Sequence, residues 1–240
     1  RYIKKTKYDI VHTHTSKAGF IGRFAAILAG SKKIIYTPHG HIFHGYFGPF
    51  LTKFFILLER LAGKFTHKIV ALTPSEAQDY IYFGVVKDKS KLRVIPSGVD
   101  ESVFFNNGDK NSLRKKLGFD EDKIIIFNAG RLVPIKGHEY LVKIAEIVIK
   151  HSPHALFVIA GGGPLRSNIS QAVKRMRLEN NFILLGERDD IPLLLNASDI
   201  FVMTSKNEGM CRSVVEAMLC KLPVVAFNVC GLRDVVLHGK

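Results

Sequence analysis

The stretch KIIIFNAGRLVPIKG at residues 123–137 runs from an unbroken apolar segment through a turn into a helical pattern over 137–150. A continuous β-branched run suits a strand buried on both faces of a parallel sheet, and a helix directly after it is the usual crossover. Within the turn, Arg131 and Lys136 stand five residues apart. Arg131 offers a forked pair of donors and Lys136 a compact charge, and the helix start adds backbone N–H groups, so the turn suits a diphosphate. A solvated basic loop would carry the same two cations.

Outward from this unit the pattern repeats in both directions. Strands are expected at 8–13, 33–37 and 67–72, with helices at 17–28, 49–64 and 75–83. A second series has strands at 123–128, 155–160, 182–185, 200–204 and 223–227, with helices at 137–150, 164–176, 191–197 and 213–220. Alternation of this kind predicts an α/β chain throughout. RVIPSGVD at 93–100 and the polar run 106–111 separate the series, giving domains 1–100 and 101–240. Ligands of open parallel sheets bind beyond the carboxyl ends of the strands, where every motif singled out below falls.

The 240 residues are 47% hydrophobic, enough for a substantial core and against disorder. Lys and Arg number 35 against 21 acids, a net charge of +14. That surplus favours anionic partners: phosphates, nucleic acid or an acidic membrane surface. Cys211, Cys220 and Cys230 form no C-x-x-C pair, so neither a disulfide framework nor a zinc site is expected, and a reduced cytoplasmic setting is the simplest reading. Residues 1–8 carry four cations but lead into no apolar signal core, and no run is long enough to span a membrane. The chain reads as soluble or peripheral and cut at both ends. YFGPFLTKFFILLERL at 46–61 is too apolar for an ordinary solvated helix; a buried core helix is the favoured reading, an amphipathic face meeting lipid the other.

Two further motifs bear on chemistry. AGGGP at 160–164 fits neither G-x-G-x-x-G nor the P-loop pattern; a tight strand-to-helix turn accounts for it, though such glycines also admit a ligand close to the backbone. SKNEGMCRSVVEAM at 205–218 sets Glu208 in a loop and Glu216 in the next helix. Ser213 has N-cap chemistry, and Glu216 three residues on completes a capping-box spacing. Ionised carboxylates also accept from pairs of sugar hydroxyls.

GRLVPIKG at 130–137 together with EGMCRSVVEAM at 208–218 resembles the retaining GT-B glycosyltransferases of family 4. VHTH at 11–14, TPHGH at 37–41, VIPSGVD at 94–100 and LPVVA at 222–226 extend the similarity over nearly the whole chain. The resemblance implies two Rossmann-like domains facing across a cleft, the first incomplete, and transfer of a sugar from a nucleotide-diphosphate donor to a glycan or lipid-linked acceptor in polysaccharide or glycoconjugate synthesis. It assigns Arg131 and Lys136 to the donor diphosphate, Glu216 to the ribose hydroxyls, and Glu208 with the backbone of Gly209, Met210, Cys211 and Arg212 to the transferred sugar. Ser213 at the helix start, and Gly130 and Gly161, would also line the donor, and His39 would point into the cleft near the sugar. His12 and His14 are read as cleft lining, because two histidines without a third ligand make no metal site. The implied chemistry needs no metal and no cofactor beyond the nucleotide sugar. Departures are Cys211, where relatives often carry another small residue, and Gly162, where many carry an acid. The family's opening glycine loop and its closing helix are not visible in this chain.

Two other classes share features with the chain. A sugar-nucleotide epimerase or phosphorylase would share the architecture. A basic nucleic-acid-binding protein would share the charge, but no nucleic-acid motif is present, Trp is absent and the cations are dispersed.

Overall fold

The structure, a computed structural model, describes residues 2–106 and 108–239. Arg1, one of the four N-terminal cations, Asn107 in the polar run and Lys240 lie outside the described residues. The elements in chain order are α1 (Tyr2–Thr6), β1 (Ile10–His14), α2 (Ser16–Leu28), β2 (Lys33–Thr37), α3 (Pro49–Phe65), β3 (Lys68–Ala71), α4 (Pro74–Tyr82) and β4 (Leu92–Val94). They continue with α5 (Lys110–Leu117), β5 (Ile124–Ala129), α6 (His138–His151), β6 (Ala155–Ala160), α7 (Arg166–Arg175), β7 (Phe182–Gly186), α8 (Ile191–Ala197), β8 (Ile200–Met203), α9 (Arg212–Leu219), β9 (Val224–Ala226) and α10 (Leu232–Val235).

Two compact units divide the chain between Ser97 and Gly98. The first also contains Asn207–Cys211 and the segment from Asn228 on; the second comprises Gly98–Lys206 and Arg212–Phe227. Those two short segments follow residue 100, yet by their contacts they belong with the first unit.

The first unit holds a parallel sheet in the order β1-β2-β3-β4. β4 was read from sequence as the start of the inter-domain stretch; at three residues it is too short to show a period of its own, and only its pairing with β3 defines it. Tyr36, Ile69, Ala71, Tyr80 and Leu92 form the core. α2 and α3 are tied by a buried ion pair, Arg23 Nη2 to Glu59 Oε1 at 2.6 Å, with the guanidinium stacked 3.7 Å over the Tyr36 ring.

α3 corrects the favoured reading of 46–61. Only Ile56, Glu59, Ala62 and Gly63 are buried on it, while Phe50, Leu51, Phe54, Leu57, Leu61 and Phe65 are exposed. It is no core helix.

The second unit holds a parallel sheet in the order β7-β6-β5-β8-β9. All six residues of β6 are buried, as are five of the six in β5, which is why these strands read as unbroken apolar runs. α5, too polar to announce itself by periodicity, is capped by Asp109, whose Oδ1 accepts from Ser112 N, and ends on left-handed Gly118. Arg114 anchors it to the sheet, donating to Ala197 O and pairing with Asp199, which accepts from Ile125 N at 2.8 Å.

Candidate functional site

The order in which strands are added to the second sheet reverses beside β5: β6 and β7 extend it on one side, β8 and β9 on the other. The crevice between the carboxyl ends of β5 and β8 is therefore the topological switch point, where open α/β sheets bind ligands. The turn after β5 carries Gly130, Arg131 and Lys136, and the segment after β8 leads to α9 with Arg212, Ser213 and Glu216. The two are joined by backbone: Lys206 N donates to Ile135 O at 2.8 Å and Thr204 Oγ1 to Lys136 O at 3.2 Å. Arg131 is exposed and the Lys136 chain passes over Gly130, where an added Cβ would lie 3.8 Å from its Cδ and Cε.

The 160–164 glycines support this turn from behind. A Cβ on Gly161 would sit 2.0 Å from Gly130 O, at a φ of +146° that L residues rarely adopt. Leu132 N donates to Gly162 O at 2.8 Å. The close approach that excludes side chains here is made by the Gly130–Leu132 backbone, so Gly161 shapes the turn.

α9 starts at Arg212, which places Ser213 inside the first turn and Glu216 beyond the third helical position. The capping-box explanation of Glu216 does not fit that register. Its side chain is 14% exposed, and burial raises its pKa against the opposing pull of Arg212, whose Nη2 lies 3.9 Å away. A half-buried acid at a switch point, without a capping duty, is free to serve as an acceptor.

Sequence reasoning passed over His138, the first residue of α6. It is 1% exposed, and neither ring nitrogen has a hydrogen-bond partner among the described residues. Burial, seconded by the Lys136 charge, pulls its pKa from 6.5 to about 4. The unfolded chain takes up this proton below about 6.5 and the folded chain only near 4, so the stability it contributes is complete above 6.5 and is lost as pH falls toward 4. The loss should reach about 2–3 kcal/mol. Urea unfolding across that range should show a shallower pH slope for His138→Gln than for wild type; equal slopes would refute the assignment.

The first unit carries the other candidates. His39 holds a left-handed φ of +55°, uncommon outside glycine. The β1–β2 register puts His14 beside Thr37, two residues short of His39. As a result His14 Nδ1 meets His39 Nε2 at 2.9 Å, and the His12 and His14 rings lie 4.2 Å apart. The third histidine that the sequence did not connect to this pair is thus His39. Burial, then the neighbouring histidines, lowers the pKa of both His12 and His39, which favours neutral rings.

The 207–211 loop packs backbone against backbone on the same turn: a Cβ on Gly209 would fall 2.5 Å from Gly40 N. This brings Glu208 and His39 to neighbouring backbone positions. Asn207 Nδ2 donates to His41 O at 2.9 Å and His44 O at 3.2 Å, Thr73 Oγ1 to Gly209 O at 3.1 Å, Glu208 N to Cys230 O at 3.3 Å, and Ser97 N to Met210 Sδ at 3.2 Å. Ser75 N donates to Asp234 Oδ2 at 2.9 Å, which fixes α10 nearby. Cys211, Cys220 and Cys230 are buried and not joined in disulfides. Cys230 Sγ, His41 Nε2 and Asp79 Oδ2 lie within 4.8 Å of one another. Both ring nitrogens of His41 are already engaged, Nε2 with Asp79 at 2.7 Å and Nδ1 as acceptor from Phe43 N, so the cluster works as a hydrogen-bonded latch. Burial raises the Cys230 thiol to about 12, a protonated, unreactive form.

Residues 109–240 match the family model described as glycosyl transferases group 1, and residues 1–103 match that of glycosyltransferase family 4. This chain belongs to the group 1 glycosyltransferases. It is 36% identical over 235 residues to an Escherichia coli protein named UDP-Gal:alpha-D-GlcNAc-diphosphoundecaprenol alpha-1,3-galactosyltransferase, covering 96% of this chain and 60% of that relative. The capsular polysaccharide biosynthesis glycosyltransferase CapM of Staphylococcus aureus is 27% identical over 242 residues, with 98% and 63% covered. Among solved structures, Anabaena HepE in complex with UDP and glucose superposes with a TM-score of 0.84 at 27% identity, over 99% of this chain and 65% of HepE. The α/β, GT-B fold class expected from the resemblance is thereby shown, and this group 1 chain spans 60 to 65% of the length of these relatives. No helix among the described residues is long and apolar enough to cross a membrane.

Proposed function

We propose that the whole protein is a retaining glycosyltransferase that moves a sugar from a nucleotide-diphosphate donor to a glycan or lipid-linked acceptor in polysaccharide synthesis, working at the cytoplasmic face of the membrane. One observation supports the donor part: Arg131 and Lys136 follow β5 and Glu216 lies on the helix after β8, the two strands that flank the topological switch point of the second sheet. In this reading Arg131 and Lys136 hold the diphosphate and Glu216 accepts from the ribose hydroxyls. Glu208, the 209–212 backbone and His39 are assigned to the transferred sugar.

As the glycosidic bond breaks, positive charge develops on the sugar and negative charge on the departing diphosphate. Arg131, Lys136 and the amides at the start of α9 stabilise that anion electrostatically. Attack from the face the diphosphate leaves, with a donor phosphate oxygen taking the acceptor proton, retains configuration and needs no side-chain base and no metal.

Ligand protection tests the donor site. UDP-sugars head the panel because the Escherichia coli relative is named for UDP-Gal and HepE was solved with UDP; GDP- and ADP-sugars complete it. At a hundredfold excess over Kd, a true donor should stabilise the full-length protein by about 2.7 kcal/mol. Glu216→Gln should weaken protection by donor nucleotides. If no nucleotide sugar protects, the reading fails.

A further inference from the structure

The exposed side of α3 carries Phe50, Phe54, Leu57, Leu61 and Phe65 at spacings of four, three, four and four residues, a single stripe along the helix. Their exposures are 87, 49, 61, 43 and 49%. Scattered apolar residues need no explanation on a surface, but a continuous stripe of five does. Lys53, Arg60 and Lys64 flank it, and the one acid of the helix, Glu59, is turned inward to Arg23. Beside the C-terminal half of α3 lies a cavity of about 580 Å³ with Leu57, Leu61, Val85 and Val86 on its apolar side. Its basic side is formed by Arg60, Lys64, Lys87 and Lys91. Asp88 also lines it, with its carboxylate oxygens accepting from Ser90 N and Ser90 Oγ at 2.8 Å each. Arg60 Nε is held by Phe83 O at 2.6 Å and Lys91 Nζ by Lys64 O at 3.2 Å, so two of the cations are positioned by backbone.

We infer that α3 lies in the plane of an anionic phospholipid bilayer, its stripe in the acyl boundary and the α3 cavity receiving a lipid phosphate. An apolar stripe edged by cations, with no acid on the exposed side, is complementary to that surface, where each Lys or Arg adds favourable energy. Symmetric pairing with a second copy would instead set Lys53, Arg60 and Lys64 against their own equivalents, a like-charge arrangement. The inference deepens the membrane half of the proposed function and rests on that reading for its purpose; it uses none of the donor-site chemistry.

The test is flotation of the full-length protein with vesicles of phosphatidylglycerol and phosphatidylcholine, and with phosphatidylcholine alone. Binding to the anionic vesicles should exceed binding to the neutral ones at least about tenfold and fall steeply with salt. Leu57→Glu/Leu61→Glu and Lys64→Glu/Lys87→Glu should each lower anionic-vesicle binding about tenfold or more while nucleotide-sugar protection stays at the wild-type level, which shows that both variants fold. Absence of wild-type binding to the anionic vesicles overturns the inference, as does wild-type-like flotation of both variants. Self-association in sedimentation that Leu57→Glu/Leu61→Glu abolishes would overturn it in favour of a dimer. Failed donor protection with intact flotation would sink the transferase reading alone.

Discussion

Arg131→Ala and Lys136→Ala in the full-length protein are each expected to lower kcat/KM by about 10²- to 10³-fold, the usual cost of removing one fixed charge or donor from a developing anion. The loss should fall more on kcat than on KM, because the diphosphate gains its extra charge only as the sugar departs. The double variant should lose less than the product of the two, since both act on one leaving group. Arg131→Lys should restore only part of the loss: a point charge cannot supply the forked pair of donors. Both single variants should fold, because the turn is held by backbone, with Gly130 N on Ala160 O, Leu132 N on Gly162 O and Lys136 N on Val133 O. Steady-state kinetics on a donor found by ligand protection makes the measurement. Wild-type turnover in both single variants would remove the diphosphate site.

The second large effect concerns folding. Glu59→Ala is expected to destabilise the first unit by about 3–5 kcal/mol, because it leaves the Arg23 guanidinium buried without a counter-charge. Arg23 is fully buried, donates through Nε to Gly19 O at 3.1 Å, and has Nη1 without a partner among the described residues. Replacing both partners, as Arg23→Met/Glu59→Leu, should recover most of the loss, since two apolar side chains leave no charge to desolvate. Urea unfolding followed in the wild type and the two variants decides it: a cost well under 1 kcal/mol for Glu59→Ala would show that water reaches Arg23.

Elements written as short continuous apolar runs were the most legible. The observed bounds of β2, β6 and α8 are those read from sequence, and β5 differs by one residue at each end. β6 is buried in every residue and β5 in all but its first, so there local composition suffices. Elements defined by a partner were not legible. β4 exists through its ladder with β3 and α10 through the Ser75–Asp234 contact, neither of which leaves a local pattern, and α5 is marked locally by its caps Asp109 and Gly118 alone, without an apolar stripe. α1 was missed for a different reason: its five residues include no buried one, so no apolar face marks it.

By itself the sequence determined the parallel α/β character, the family, and that Arg131 and Lys136 stand at a strand end. These depend on residue type and spacing along the chain, which folding does not alter. Tertiary structure alone decided three matters. Strand order made the β5–β8 crevice a switch point, because order depends on which edge each crossover returns to. The start of α9 at Arg212 took Glu216 out of a capping role that a three-residue spacing had allowed. The outward stripe of α3 is the third, since apolar content along a helix is the same whether the face meets a core or lipid; only the position of its neighbours tells them apart.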